Sequence, residues 1–322
     1  FCYSCGEAGH TVMVLNIPHW RSHAFNDYPS LTQTNLYRIR KLLSREVPDL
    51  AFIIHGGGYW SGEMLRVLKQ AAVQTVYYNP DDPMLFNAVS RHIAPHVDHV
   101  LAFPKVAECY QRELSIQAEP FFYCVDPAVV FGDEPDCGEK KAYESDIVLT
   151  GNIDANRKKT RGDYVWALHE AGAGTVAFYG PPPRYPSEKL MSLYRGSIAD
   201  NCMNNRVIRS SKIVFHYTQE LEDEERHTSM PDYYQSLSGR ILDGAAAGRL
   251  VMTNYFADLE KAFDIGSEVI VYDSVDDAIR KARYYLTHAK EREKIAAAAR
   301  KRALTDHVVE QRVKQIENIL DK

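Results

Sequence analysis

The chain has 322 residues, more than one hydrophobic core usually holds, so two domains are expected. Its 45% apolar and 25% charged residues are ordinary for a globular protein, and a net charge of -5 gives no general reason to bind nucleic acid beyond a local basic patch. No apolar run can span a bilayer, no secretory leader is visible, and the six scattered cysteines lack a disulfide-scaffold pattern, so a reducing cytoplasm is the expected compartment.

The chain starts with Cys2-Tyr-Ser-Cys5-Gly-Glu-Ala-Gly-His10, which supplies three ligands of a Cys-Cys-His-Cys zinc knuckle. The fourth would fall near position 15, which is Leu15, so the match reads as chance. The abrupt start suggests that part of a first strand and helix is missing. Short β-branched and aromatic runs then alternate with longer amphipathic stretches. They predict strands at 12–17, 50–55, 75–79, 99–103 and 120–124, then at 146–151, 175–180, 212–217, 249–253 and 268–273. Continuous apolar runs of this kind predict an α/β fold with two buried parallel sheets. Residues 126–145, with Pro127, Gly132, Pro135, Gly138 and Glu139-Lys-Lys141, break the rhythm and read as a linker between domains at 1–125 and 146–307. After Asp273 the pattern turns helical. Ser274-Val-Asp-Asp277 reads as a capping box, 289–305 as a charged Ala-rich helix, and Val309, Val313, Ile316 and Leu320 as one stripe of a last helix over 308–320.

Ligands of open parallel sheets sit at the carboxyl ends of the strands, so the residues that follow each strand matter most. The 146–151 strand runs into Thr150-Gly151-Asn152 and a basic segment with Arg157 and Arg161. The glycine lets backbone approach a ligand, and Arg157 is suited to grip a diphosphate in bidentate fashion. The next strand ends in Phe178-Tyr179-Gly180-Pro, a rigid turn able to offer backbone groups to a nucleobase. The third ends in His216-Tyr-Thr, where a lone histidine is more often structural. The fourth signal is Ser238-Gly239-Arg240-Ile-Leu-Asp243 running on to Gly248. Ser238 can cap a helix, Arg240 adds a cation at its amino end, and Asp243 shares Arg240's face three residues later. A surface ion pair on an Ala-rich helix is the plain alternative for that pair. In the first half, Ile54-His55-Gly-Gly-Gly58-Tyr-Trp60 places His55 at a strand end before a pliable loop, and Asn79-Pro-Asp81-Asp82-Pro83 forms a turn at the next. No Asp-x-Asp occurs, so nothing points to a metal holding a diphosphate.

Taken in order, these segments resemble the CgeB-like (spore-maturation type) glycosyltransferases of the GT-B fold. The carriers are Asn79-Pro-Asp-Asp-Pro83, Cys124-Val-Asp-Pro127, Thr150-Gly-Asn152 with Arg157, 238–248, 269–273, and His307, which falls where the family's late histidine lies. Two departures are Gly239, where the family has Asn, and Asp243, where its ribose-binding acid is Glu. The resemblance implies two Rossmann-like domains facing across a cleft, with helix 308–322 crossing back to the first. It also implies sugar transfer from a nucleotide-sugar, foremost a UDP-sugar, to a glycan, protein or small-molecule acceptor. A DNA base is disfavoured by the acidic balance. Donor contacts would come from Gly151, Asn152, Arg157, Tyr179, Gly180, His216, Ser238, Gly239, Arg240 and Asp243, with no metal and no cofactor. An inverting reaction needs a base, for which His55 is the first candidate and Asp82 the second. A sugar-nucleotide epimerase or hydrolase, and a binding protein without chemistry, are the rival readings.

Overall fold

The computed structural model describes residues 2–15, 29–54, 60–130, 141–153, 161–183, 186–218 and 237–320. The chain divides into two compact units, one of Phe1–Phe122, Leu221–Ser236 and Glu310–Lys322, the other of Tyr123–Glu220 and Leu237–Val309.

In the first unit four parallel strands lie in chain order: β1 (Leu50–Ile54), β2 (Gln74–Tyr78), β3 (His99–Ala102) and β4 (Ala118–Pro120). Helices α1 (Pro29–Leu43), α2 (Gly62–Gln70) and α3 (Pro104–Leu114) accompany them. Ser61 caps α2 by accepting from the Met64 N–H, and Met64, Leu65 and Leu68 bury the apolar face of that helix. Two expected strands differ from the structure. Residues 12–15 are irregular, with Val12 40% and Val14 72% exposed, because these valines find no sheet edge or core to cover them. The strand expected at 120–124 lies earlier, at β4. The Phe121 N–H makes the last bond of that ladder, to Ala102 O at 2.7 Å, and the Phe121 ring fills the core beyond it. The Phe121 ring centroid lies 5.0 Å from that of Tyr78 and 6.4 Å from that of Phe52.

The second unit holds five parallel strands, β5 (Ser145–Thr150), β6 (Val176–Tyr179), β7 (Ser211–Phe215), β8 (Leu250–Asn254) and β9 (Ile270–Tyr272), in the order β6-β5-β7-β8-β9. The chain leaves β5 for β6 on one side and then crosses to β7 on the other. This makes the β5–β7 pair a switch point, where a crevice opens at the carboxyl ends. Around the sheet run α4 (Arg161–Glu170), α5 (Asn201–Arg209), α6 (Gly239–Ala246), α7 (Val275–Thr287) and α8 (Ala289–Asp306). Ile147, Leu149, Ile213, Phe215 and Tyr217 point into one core with Tyr164 and Leu168 of α4 and Ala278 and Ala282 of α7. The alternate side chains, Val148, Val214 and Val251 among them, face the other side.

Helix α6 lies close to that second face because its middle is small. A Cβ added to Gly244 would sit 2.9 Å from Val251 Cγ2 and 3.1 Å from Val214 Cβ. Its end is a Schellman turn: Gly248, at φ +67°, donates to Ala245 O, and Arg249 donates to Gly244 O. Ser274 caps α7, its Oγ accepting from the Asp277 N–H at 3.1 Å. Helix α9 (Val309–Leu320) buries Val309, Val313, Ile316 and Ile319. Its Arg312 Nε donates to Phe122 O at 3.0 Å, with the guanidinium 5.7 Å from the Phe121 ring centroid. Among the described residues no helix is long and apolar enough to cross a membrane.

Candidate functional site

The carboxyl ends of β5 and β6 and the start of α6 converge on two glycines. Gly151 adopts φ +121°, a conformation side chains rarely take, and its N–H donates to Tyr179 O at 2.8 Å. A Cβ on Gly180 would collide with Gly151 O, and a Cβ on Gly151 would lie 2.5 Å from the Arg240 guanidinium. Both positions are bare so that two turns interlock and Arg240 can lie on Gly151. Ser238 caps α6 as its sequence suggests, with φ -89° and ψ 139°, its Oγ accepting from the Arg240 N–H at 3.4 Å.

Arg240 is half-buried, and its guanidinium makes no hydrogen bond or ion pair among the described residues. The plain alternative, a surface pair with Asp243, does not form. Asp243 Oδ2 instead accepts from Asn204 Nδ2 of α5 at 3.3 Å. Burial lowers the Arg240 pKa, against the pull of Asp243 and Tyr123. Burial raises that of Asp243 to about 6, opposed by Arg240 and Asn204. A half-buried cation at a helix amino end, unpaired among the described residues, is suited to receive an anion.

Next to this pair, His216 is fully enclosed just past the end of β7. Its Nδ1 lies 3.0 Å from Thr253 Oγ1, its backbone O accepts from Tyr272 OH at 2.6 Å, and its Nε2 is buried with no hydrogen-bond partner. Burial, then Arg161, then Arg240, hold its pKa well below the usual histidine value, so the ring is neutral. Arg161 Nε donates to Tyr217 O at 2.8 Å and its Nη1 to Asn152 O at 2.9 Å, which staples the ends of β5 and β7. Asn254 bonds Thr218 twice, Oδ1 from its N–H at 2.8 Å and Nδ2 to its O at 3.2 Å, which staples β7 to β8. Tyr179 is buried, 6.2 Å from Tyr143 by ring centroids, and burial raises its pKa.

The structure thus brings together Gly151, Asn152, Tyr179, Gly180, His216, Ser238, Gly239 and Arg240, with Asp243 one turn on. Asn152 is exposed and contributes its backbone O to the Arg161 staple. Gly239 has room for a side chain, since an added Cβ would reach no closer than 4.0 Å to Tyr123 Cγ. Arg157 and His55 lie outside the described residues. Asp82 belongs to the first unit and is sealed: Oδ1 accepts from Asn79 Nδ2 and Ser90 Oγ, each at 2.8 Å, and Oδ2 from Tyr110 OH at 2.6 Å. Asp82 is 2% exposed, and its carboxyl is enclosed by these partners. His307 is buried at the end of α8, its Nε2 3.1 Å from Ala262 O, and serves the packing there. His10 pairs with Glu317 at 2.8 Å, and the described residues hold no cluster of three metal-ligating side chains. The roles of Arg161, Thr253 and Asn254 had no sequence signal of their own. A threonine at a strand end is ordinary, and only the register shows what it faces.

A sequence model described as glycosyl transferase-like matches residues 158–318, half of the chain. No curated protein sequence matches. Solved structures share the fold. A glycosyltransferase from Rickettsia africae has a TM-score of 0.63 at 12% identity, with 94% of this chain and 84% of that one covered. Anabaena Alr3699/HepE, solved with UDP and glucose, has a TM-score of 0.62 at 11% identity, with 92% and 84% covered. The sucrose-phosphate synthase of Thermosynechococcus elongatus has 0.59 at 11% identity, with 91% and 78% covered.

Proposed function

The chain belongs to the glycosyl transferase-like family and has the two-sheet α/β architecture of GT-B glycosyltransferases; on that premise we propose that it takes its sugar from a nucleotide-sugar, a UDP-sugar foremost, bound at the strand ends of the second unit. The observation that carries this reading is the Arg240 guanidinium, unpaired among the described residues, lying on Gly151 at the amino end of a capped helix. Glycosyl transfer passes through an oxocarbenium-like state while negative charge grows on the leaving diphosphate. Arg240 and the first amides of α6 are positioned to stabilise that charge, and the sequence adds Arg157 to them. Protein cations of this kind can do without a metal, so activity should survive a chelator. The UDP preference rests on the Anabaena protein, whose structures hold UDP and UDP-glucose. The acceptor stays unassigned. His55 is the proposed base for an inverting reaction, and the CgeB-like placement is part of the same proposal.

The test is calorimetry of UDP, GDP, ADP, CDP and TDP on wild type and Arg240→Ala. One nucleotide should be preferred, with binding weakened roughly 100-fold in the variant, as for loss of a charge-assisted bidentate contact. Equal, feeble binding of all five, unchanged by the substitution, removes the donor-site assignment. His55→Ala should abolish transfer and leave nucleotide affinity intact. Turnover of the nucleotide-sugar without any acceptor would favour the epimerase or hydrolase reading instead.

A further inference from the structure

Thr150, His216 and Thr253 stand in one row across the sheet. The register pairs Val148 with Val214 and Phe215 with Met252, so two residues on Thr150 lies beside His216, and one residue on His216 lies beside Thr253. Side chains alternate along a strand, so all three share the face of Val214 and Val251 on which α6 packs. They are 3%, 2% and 0% exposed. Buried polar atoms are nearly always hydrogen-bonded. Here Thr150 Oγ1 and His216 Nε2 are not, and the neighbouring Arg240 guanidinium has no hydrogen bond or ion pair among the described residues. Three unmet polar groups therefore gather at the switch point of one sheet, where a ligand crevice is expected.

The hydrogen bonds assign the tautomer. Thr253 Oγ1 donates to Asn254 O at 3.2 Å, so its oxygen accepts from His216 Nδ1–H at 3.0 Å, and Nε2 keeps a bare lone pair. A phosphate oxygen is an acceptor only, so Nε2 can bond one only after gaining a proton. The groups facing the ring are Arg161 from α4, Arg240 from α6, Thr150 from β5 and Thr253 from β8. Tyr272 OH from β9 bonds its backbone O, and Asp243 lies beyond Arg240. Among the described residues the charged groups nearest the ring, Arg161 and Arg240, are both cations and oppose its protonation. A dianionic diphosphate seated on Arg240 offsets that field and so favours the protonated ring.

On the donor-site reading above, we propose that this row is the floor of the site: when a nucleotide-sugar diphosphate binds Arg240, His216 takes a proton from solvent and donates its Nε2–H to a phosphate oxygen, with Thr150 Oγ1 donating beside it. Nothing covalent changes; one proton passes from solvent to imidazole for each molecule bound.

The test uses the wild-type chain with UDP-glucose, GDP-glucose, ADP-glucose, CDP-glucose and TDP-glucose. These diphosphate diesters lack the second phosphate ionisation near pH 6, so proton uptake reports on the protein. Calorimetry in buffers of different ionisation enthalpy should find uptake approaching one proton per ligand, with affinity rising up to about tenfold per pH unit from about pH 8 down to about pH 6. In His216→Gln the uptake should vanish, affinity should become flat with pH, and binding near pH 6 should weaken roughly 10- to 100-fold. Thr150→Val should weaken binding while keeping the uptake. Binding without proton uptake in the wild type, or uptake that persists in His216→Gln, overturns the proposal and leaves the donor site standing. Failure of the folded wild type to bind any of the five overturns the donor-site reading and this proposal together.

Discussion

Each unit carries a buried polar cluster at the carboxyl ends of its strands, and the two differ in how they are satisfied. In the first, Tyr77 OH, Asn79, Ser90 and Tyr110 OH surround Asp82, and both of its carboxyl oxygens accept short bonds. In the second, Arg240, His216 Nε2 and Thr150 Oγ1 lack partners among the described residues. Burial alone does not separate them, since Asp82 and His216 are equally enclosed. The accounting of donors and acceptors does. A closed network specifies a fold, whereas groups left open in a tightly packed place are held ready for a ligand.

Substitutions can break this distinction or sharpen it. The largest effect is expected at Asp82. Folding favours its protonated form, because burial raises the carboxyl pKa from 3.8 to about 7 against the opposing bonds from Tyr110 and Ser90. The stability it contributes is therefore complete below about pH 4, falls as pH rises toward 7, and is flat above that, a total of about 4 kcal/mol at the limit. Asp82→Asn mimics the protonated form and should flatten the slope. It should match wild type near pH 4 and exceed it in denaturant midpoint near pH 8, with nucleotide affinity unchanged. Altered nucleotide affinity would show that the two clusters do not differ in kind.

Gly151→Ala comes next. It forces a side chain into φ +121° and against Arg240, so stability should drop by about 1–3 kcal/mol and nucleotide affinity should fall by at least tenfold. Wild-type affinity would show that Arg240 need not lie on Gly151 to bind. Gly244→Ala tests the closeness of α6 to the sheet without touching the site. Its new Cβ crowds Val251 and Val214, so a loss of about 1–2 kcal/mol is expected in thermal or denaturant unfolding. The smallest effect belongs to Asp243→Asn. Asp243 already bonds Asn204, so affinity for the preferred nucleotide should change only about two- to fivefold. A 100-fold loss would make Asp243 a principal ligand and extend the open cluster along α6.

Features that depend on near neighbours in the chain were legible in advance. The strands of the second unit start and stop close to the apolar runs that predicted them. Ser238 and Ser274 cap the helices they precede, and Gly248 ends α6, because capping and helix termination involve groups within four residues of each other. The sequence marked this helix as Ala-rich, and its Gly244 lets it lie close to Val251. The first unit was less transparent. The valines at 12 and 14 and the aromatics after Pro120 have strand-forming character, but pairing needs a partner edge, and local propensity does not supply one.

The site divides along the same line. Sequence alone brought Gly151, Ser238 and Arg240 into view as polar and glycine-rich strand ends, and it established the alternation of strands and helices that puts such ends on one rim. It could not show that Asp82 is closed off, that Asp243 turns to Asn204, or that Thr150, His216 and Thr253 form a row. Those facts depend on register and on the crossing from β6 to β7, which bring together residues 66 and 37 positions apart. Whether a polar atom is satisfied is a property of everything that surrounds it in space, so only the tertiary structure decided which buried groups are finished and which still wait for a partner.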